Sequence, residues 1–392
     1  MKIALLLPSI LASKKYNSRI YAPKELFIGL VNGLHDKGHE VFTYCSSNIK
    51  TRAIIKAGNI ELEYDGFHSI KDVWEKPHIK DQLSESKKFM EYGLDLVSRA
   101  FLDDQKIHFD IIHVYADYYS YYFGGFTKTP VIFTIHDPVF PRDTFEYWRL
   151  KKFSNYNHIA ISHNQKGQYL KELGLKSTAV IHHGINLSKF RLSAHTDNHM
   201  AMIGRFIPEK GFDEGIKIST KLKIPLLIAS SSNYEKTSYY TDQIQPFLNS
   251  PLISKLEFLG TKERDFVLQK SKVFLFPIKW EEPFGLTMIE AMACGTPVIA
   301  YARGSVPEII KDGITGFIVN PSDEDIRGNF TIKKTGSAGF EEAVKRIYSM
   351  TESEYKKMRS NCRKHVEENF SIKKMVDNHE KLYQTIINKR DY

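Results

Sequence analysis

Cysteine is scarce in this sequence of 392 residues. The three cysteines lie far apart and without metal-like spacing, so neither a disulfide framework nor a cysteine-based zinc site is predicted. Long apolar runs are also missing, and stretches such as Ile3–Pro8 are far too short to span a bilayer. That first run is better explained as a buried strand than as a signal peptide, because no small-residue cleavage site closely follows it. These absences predict a reduced cytoplasmic protein.

Signals for nucleic-acid binding are absent as well. The formal net charge is +9, but the excess is spread over both halves, and there is no zinc-finger spacing, RNP-type motif or basic tail. Such a charge suits anionic substrates or an anionic membrane surface, and no nucleic-acid partner is expected. Hydrophobic residues make up 42% of the chain, which is ample for packed cores.

Short apolar runs alternate with helix-length segments, and the pattern restarts near His199. This alternation predicts two α/β units with parallel, doubly wound sheets, joined by a hinge at His182–Asn186. Among the predicted elements are strands at Ile159–Ser162 and Leu256–Leu259, a loop over Arg327–Gly339 and a helix from Phe340.

A phosphate-binding turn is predicted where a buried strand leads into a helix near residue 285. The amides of Phe284, Gly285 and Leu286 would face outward at the helix N-terminus, which favours anions. Gly285 has no side chain to keep a ligand from the backbone. Glu282 precedes this turn and Glu290 follows it, and carboxylates can accept hydrogen bonds from ribose or sugar hydroxyls. The pattern therefore suits a nucleotide-sugar.

Simpler explanations exist for each glutamate alone. Glu282 could be a helix cap or dipole partner, and Glu290 could be a solvated helix residue. A pair of carboxylates is also typical of glycosidases, although the neighbouring phosphate-type turn weighs against that reading.

A second cluster follows the first strand of the second unit. Arg205 offers a planar fork of donors and Lys210 a point charge, and together they suit a diphosphate. In isolation the segment could equally be a solvated loop with an ion pair to Glu209.

Together these segments resemble glycosyltransferase family 4, a large family of retaining enzymes with the GT-B fold. Glu282 and Glu290 match its E-x7-E motif, and Arg205 and Lys210 match its GR…KG motif. Further matches are the hinge at His183–Asn186 and the loops Ala302–Ile310 and Asp312–Phe317. The resemblance implies an α/β fold of two Rossmann-like doubly wound domains facing a central cleft.

The resemblance also implies how the domains divide the work. An acceptor-binding domain is expected over residues 1–185, a nucleotide-sugar-binding domain over 186–370, and a C-terminal helix crossing back to the first domain over 371–392. In the family, the residue matching Glu290 holds the ribose, the one matching Glu282 lies near the transferred sugar, and the Arg/Lys pair holds the diphosphate. Arg205, Lys210 and Glu282 are thereby expected to be catalytic, and the donor site would include Phe284, Gly285, Leu286 and Glu290.

The first domain is expected to contribute His136, which lies in a segment that resembles the family's strand end with an active-site histidine. His136 would hydrogen-bond the donor sugar; otherwise it is a loop histidine that caps the next segment. Many relatives carry a Gly-Gly loop after the first strand. Here the counterpart is Ile20–Glu25, without a glycine pair, so its contact with the diphosphate stays open, and Tyr21 or Lys24 could act there instead.

The resemblance predicts transfer of a hexose-type sugar from a UDP- or GDP-sugar to a glycan, lipid-linked or small-molecule acceptor, without a metal or other cofactor. The alternatives are a GT-B-type epimerase or phosphorylase and a non-catalytic nucleotide-sugar-binding subunit. Basic and aromatic residues at Tyr147–Phe153 and Lys14–Tyr16 also suggest peripheral contact with the inner face of a membrane. The sugar, the base, the acceptor, the linkage and the oligomeric state are not determined by the sequence.

Overall fold

The protein is described by a computed structural model that covers residues 1–16, 21–63, 80–117, 119–175, 178–193, 196–257 and 261–389. The chain divides into two compact units. Unit 1 comprises Met1–Ile161, Lys166–His182 and the described chain from Met375 onward, and unit 2 comprises Ser162–Gln165 and His183–Lys374. As the alternation of strands and helices predicts, each unit is built on a parallel sheet.

The sheet of unit 1 has seven strands. They are β1 (Lys2–Leu6), β2 (Glu40–Cys45), β3 (Ile54–Ala57), β4 (Ile111–Val114), β5 (Val131–Ile135), β6 (Asn157–Ala160) and β7 (Thr178–Val180). Their order in the sheet is β3-β2-β1-β4-β5-β6-β7. The accompanying helices are α1 (Ala22–Asp36), α2 (Ile60–Glu63), α3 (Lys80–Ile107), α4 (Phe145–Lys152) and α5 (His163–Leu173). Strands β4 and β5 are buried along their whole length, as is typical of the centre of a parallel sheet.

The sheet of unit 2 has six strands. They are β8 (Met200–Ile203), β9 (Leu226–Ser230), β10 (Ile253–Glu257), β11 (Val273–Phe276), β12 (Val298–Tyr301) and β13 (Gly316–Val319), in the order β10-β9-β8-β11-β12-β13. The helices are α6 (Phe212–Leu222), α7 (Ser238–Gln243), α8 (Thr261–Lys270), α9 (Leu286–Ala293), α10 (Val306–Ile309), α11 (Gly336–Tyr348) and α12 (Glu352–Asn369). The strand order reverses between β8 and β11, and doubly wound sheets bind ligands at the carboxyl edge of such a point.

The last helix, α13 (Ile372–Asn388), packs against unit 1 through four buried side chains, Met375, Val376, His379 and Tyr383. A Cβ atom on Gly33 of α1 would overlap the Val376 side chain, so this glycine permits the close approach of the two helices. The Tyr383 hydroxyl lies 2.5 Å from Nδ1 of His113 on β4. Apolar packing and a buried polar contact thus tie α13 to the sheet of unit 1.

Several element boundaries differ from the sequence-based expectation. Strand β6 begins two residues earlier than predicted, because buried His158 belongs to it despite its polar side chain. The strand expected at Leu256–Leu259 is β10, which ends at Glu257, and residues 258–260 lie outside the described part. Helix α11 begins at Gly336 rather than Phe340. Its Gly339 lies against Val319 of β13, where a Cβ atom would be only 2.5 Å from Val319 Cγ1.

Candidate functional site

The candidate site of unit 2 lies at the carboxyl edge of its sheet, where the strand order reverses. Arg205 follows β8, and Glu282 lies in the segment that follows β11. Lys210 ends a short 3-10 turn, and the next residue, Gly211, has a φ of 68°. A Cβ atom on Gly211 would overlap the carbonyl oxygen of Pro277, so a glycine is needed for this turn to pack beside the end of β11.

This packing brings Lys210 and Glu282 into contact. Lys210 Nζ lies 2.6 Å from Glu282 Oε2, and the indole Nε1 of Trp280 donates to the same oxygen at 2.7 Å. The exposed fraction of Glu282 is 9%, so both bonds are largely shielded from water. The sequence motifs predicted the two charged residues as parts of one site, but they did not predict that the indole of Trp280 contacts both of them.

Trp280 also contacts the other cation of the cluster. Its ring centroid lies 5.2 Å from Lys210 Nζ and 5.9 Å from the guanidinium carbon of Arg205, both within cation–π range. Arg205 is exposed and has no carboxylate partner among the described residues, whereas the charge of Lys210 is balanced by Glu282. The uncompensated charge of Arg205 therefore makes this edge attractive to an anion.

The turn before α9 adds a second feature that favours anions. Gly285 is the N-cap residue, with a φ of 80°, so no side-chain oxygen caps the helix, and the first turn carries no acidic residue. The positive end of the helix dipole is therefore not compensated within α9. A Cβ atom on Gly285 would lie 2.6 Å from Met288 Cε and 3.4 Å from Glu282 Cγ, so the protein itself fills the space that this glycine leaves. A close ligand approach to this backbone stays a prediction.

Glu290 lies within α9 and is only 5% exposed. Its Oε1 atom lies 2.9 Å from Nη1 of Arg264 on α8. Burial raises the pKa of Glu290, and the Arg264 guanidinium acts in the opposite direction. No sequence pattern connects these two residues, since Arg264 lies in a polar helix that carries no motif.

A network of charged side chains holds the loop after β12. Glu281 accepts a hydrogen bond from the Gly304 amide at 2.7 Å and lies 2.5 Å from Arg327 Nη1. Arg303 Nη2 lies 3.1 Å from the carboxylate of Asp325, which also binds Arg327. These contacts stabilise the loop beside Glu282, whose carbonyl accepts from the Ser305 amide. None of them was predicted.

His136 lies in unit 1, directly after β5. Its Nε2 atom lies 2.7 Å from the carbonyl oxygen of Tyr115. A carbonyl can only accept, so the proton of the neutral ring is on Nε2. Burial lowers the pKa of His136, and the hydrogen bond to Tyr115 opposes this shift. The ring is therefore neutral at pH 7, as a hydrogen-bonding role would allow.

The loop expected to replace a Gly-Gly pair lies at the same edge of unit 1, although Ile20 is outside the described residues. Burial raises the pKa of Tyr21 to about 12, and its hydroxyl bonds to the side chain of Ser9. Burial lowers the pKa of Lys24. The phenol is thus protonated at neutral pH, and a role for either residue toward a ligand stays a prediction.

Two protein-family models match adjacent parts of the chain. The one described as "Glycosyltransferase Family 4" matches residues 26–189, and the one described as "Glycosyl transferases group 1" matches residues 185–328. An uncharacterized glycosyltransferase of Methanocaldococcus jannaschii is 30% identical over 234 residues, which are 55% of this chain and 63% of the relative. Across three curated relatives, the matched stretches span 36–63% of the relative's own length.

Solved structures show the same fold over almost the whole chain. Sucrose-phosphate synthase from Thermosynechococcus elongatus has a TM-score of 0.72 at 18% identity, covering 99% of this chain and 100% of that one. HepE from Anabaena, solved in complex with UDP and glucose, has a TM-score of 0.69 at 16% identity, covering 98% and 100%. With two family models that together reach from residue 26 to residue 328, the chain belongs to glycosyltransferase family 4 and has its GT-B fold.

Proposed function

We propose that this protein is a retaining glycosyltransferase that moves a hexose-type sugar from a nucleoside-diphosphate sugar to a glycan, lipid or small-molecule acceptor. The observation that carries the proposal is the grouping of Arg205, Lys210 and Glu282 at the carboxyl edge of the sheet in unit 2, where the strand order reverses. The complexes of HepE with UDP and with UDP-glucose support a UDP-sugar as the donor to test first, with GDP-sugars next.

In this proposal Arg205 and Lys210 bind the diphosphate. Arg205 supplies a bidentate fork, while Glu282 and Trp280 hold the ammonium of Lys210 in place. The amides at the start of α9 supply further donors, those of Phe284, Gly285 and Leu286. The carboxylate of Glu290 accepts from the ribose hydroxyls, and Glu282 lies near the transferred sugar.

The proposed reaction needs no side-chain base. The acceptor oxygen bonds to the anomeric carbon from the face that the diphosphate leaves, the bond from that carbon to the phosphate oxygen breaks, and the acceptor proton passes to a donor phosphate oxygen. Negative charge grows on the departing diphosphate, so preorganised cations and amides lower the barrier. The neutral His136 would hydrogen-bond the donor sugar.

A thermal-shift screen of UDP- and GDP-sugars, followed by mass spectrometry of the product, tests the proposal. A donor that stabilises the fold and is transferred to an added acceptor supports it. Conversion of the free donor to its epimer would instead indicate an epimerase, and phosphate-dependent formation of a sugar phosphate a phosphorylase. Binding with neither transfer nor donor hydrolysis would indicate a non-catalytic binding subunit.

Alanine variants test whether Arg205 and Lys210 stabilise the leaving diphosphate. We expect Arg205→Ala and Lys210→Ala each to lower kcat on the order of 100-fold, because each removes charge that stabilises the leaving group. Lys217→Ala is the matched control, since this exposed lysine of α6 lies 3.7 Å from an Asp213 that already binds Lys279. A stable fold with wild-type kcat in either site variant would remove the diphosphate assignment.

We also propose that the protein contacts membranes peripherally. The support is the exposure of aromatic and basic side chains on α4 of unit 1. Among the described residues, no helix is long and apolar enough to cross a bilayer.

A further inference from the structure

Helix α4 of unit 1 has an exposed side with two aromatic residues. Phe145 is 80% exposed and Trp148 is 52% exposed. They are three positions apart and therefore lie on the same side of the helix. The opposite side is buried through Tyr147 and Leu150. Phe145 and Trp148 thus form an exposed apolar pair on one side of α4, and exposed apolar patches are typical of surfaces that bind a protein or a membrane.

The same side of α4 is basic. Lys151 and Lys152 are both exposed and complete it at the C-terminal end, where Lys152 Nζ lies 5.0 Å from the Trp148 ring. The one acidic residue within α4, Glu146, is only half-exposed and lies a quarter of a turn or more away from this side. Asp143 precedes the helix, about two turns from the lysines.

A third aromatic residue continues the surface. Tyr122 is 40% exposed, its hydroxyl accepts from Arg149 Nε at 3.4 Å, and its ring meets Phe153 edge-on at 5.5 Å. These contacts attach Tyr122 to the flank of α4. We call Tyr122, Phe145, Trp148, Lys151 and Lys152 the aromatic-basic face.

We propose that the aromatic-basic face docks on the headgroup region of a bilayer that contains anionic lipids. Phenyl and indole rings favour the boundary between headgroups and acyl chains, and lysines are attracted to anionic headgroups. The net charge of +9 supports the same partner at longer range. This inference rests on the proposed peripheral contact and assigns it a surface and a lipid class. It does not depend on the identity of the donor.

Flotation with phosphatidylcholine vesicles, with and without 30% phosphatidylglycerol, tests the inference. At low salt we expect the protein to float with the anionic vesicles and to be released at high salt. Each lysine near an anionic surface contributes about 1 kcal/mol, so Lys151→Ala/Lys152→Ala should weaken binding about 30-fold. Phe145→Ala/Trp148→Ala should weaken it on the order of tenfold through lost apolar burial.

Matched controls come from unit 2. Phe247→Ala removes an exposed aromatic residue and Lys364→Ala an exposed lysine, and neither should change flotation. Depth is measured by quenching of tryptophan fluorescence with brominated lipid. Trp148→Phe keeps an aromatic ring, so it should retain binding and lose most of the quenching.

The possible outcomes distinguish membrane binding itself from the assignment of that binding to the aromatic-basic face. If the wild type does not float with anionic vesicles at low salt, both the peripheral contact and the face are overturned. If it floats but the face variants float equally well, the contact holds and the assignment to this face is overturned. If only the lysine variant is impaired and Trp148 is not quenched, insertion of the aromatic residues is overturned. Donor hydrolysis, measured without lipid, should be the same in all of these variants.

Discussion

At the scale of single residues, burial and the neighbouring Arg264 act in opposite directions on the ionisation of Glu290, the proposed ribose ligand. Glu290 is buried, and burial alone favours its protonated form. The guanidinium of Arg264 at 2.9 Å favours the carboxylate, while Asp265 on the same helix favours the protonated form. Since the ionised carboxylate is a stronger acceptor for ribose hydroxyls than the protonated acid, Arg264 should be needed for nucleotide binding without touching the nucleotide.

We expect Arg264→Gln to weaken nucleoside-diphosphate binding and to change its pH dependence. Without the cation the pKa of Glu290 rises further. As pH is lowered, the variant should therefore lose affinity at a higher pH than the wild type does. Calorimetric titrations between pH 5 and 8 measure this shift, and Arg264→Lys should restore part of it. A uniform loss of affinity with an unchanged pH profile would mean that Arg264 acts only by packing.

Trp280 offers a second prediction at this scale. Trp280→Phe keeps a ring beside Arg205 and Lys210 but removes the N–H donor to Glu282. A hydrogen bond to a charged group contributes about 1.5–3 kcal/mol, so kcat/KM should fall on the order of tenfold. Trp280→Ala should cost more, because the ring is lost as well. Wild-type kcat/KM in steady-state assays of Trp280→Phe would show that the N–H bond has no role, and equal losses in the two variants would show that the ring adds nothing beyond that bond.

At the scale of elements, the start of α9 combines a backbone requirement with a proposed function. Gly285 has a φ of 80°, which a residue with a side chain adopts at a cost of about 1–2 kcal/mol. We therefore expect Gly285→Ala to lower the free energy of unfolding by about that amount, as measured by urea denaturation, and to weaken binding of nucleoside diphosphate as the turn adjusts.

Gly167→Ala is the matched control for this prediction. Gly167 lies within α5, and nothing lies within 4 Å of a Cβ atom placed there. Alanine should leave stability unchanged or raise it by about 0.5–1 kcal/mol. If both alanine variants behave alike, the left-handed backbone at Gly285 is not costly and the turn does not require a glycine.

Elements also show where sequence patterns mislead. The glycines at the start of α11 suggest a loop, but Gly339 is needed because the helix packs closely on β13. The short edge strands β3 and β7 were not predicted, since three or four residues carry too little periodicity to distinguish a strand from a loop. Close packing and edge pairing both depend on residues far away in the chain.

At the scale of the whole molecule, the proposal predicts activity without a divalent cation. Arg205, Lys210 and the start of α9 would stabilise the leaving diphosphate in place of a metal. We expect transfer rates in excess EDTA to stay within about twofold of those without it. Loss of activity that Mg²⁺ or Mn²⁺ restores would contradict this prediction, and donor binding measured in parallel would show whether binding or chemistry needs the ion.

The sequence by itself predicted the architecture, because buried parallel strands appear as continuous apolar runs between helices. It also determined the family, through the spacing of Glu282, Glu290, Arg205 and Lys210. The roles of these residues toward a donor stay predictions. Motifs are well suited to identifying a family, because each motif is a short segment whose geometry follows from its local backbone.

Only the tertiary structure decided which side chains complete the site. Trp280 contacts both Lys210 and Glu282 because the turn ending at Gly211 packs beside the end of β11. Arg264 reaches Glu290 because α8 and α9 are neighbours. Tertiary structure likewise decided that Phe145 and Trp148 face outward while Tyr147 is buried. Contacts between segments tens of residues apart follow from packing and strand order, and a single sequence carries no periodic signal for them.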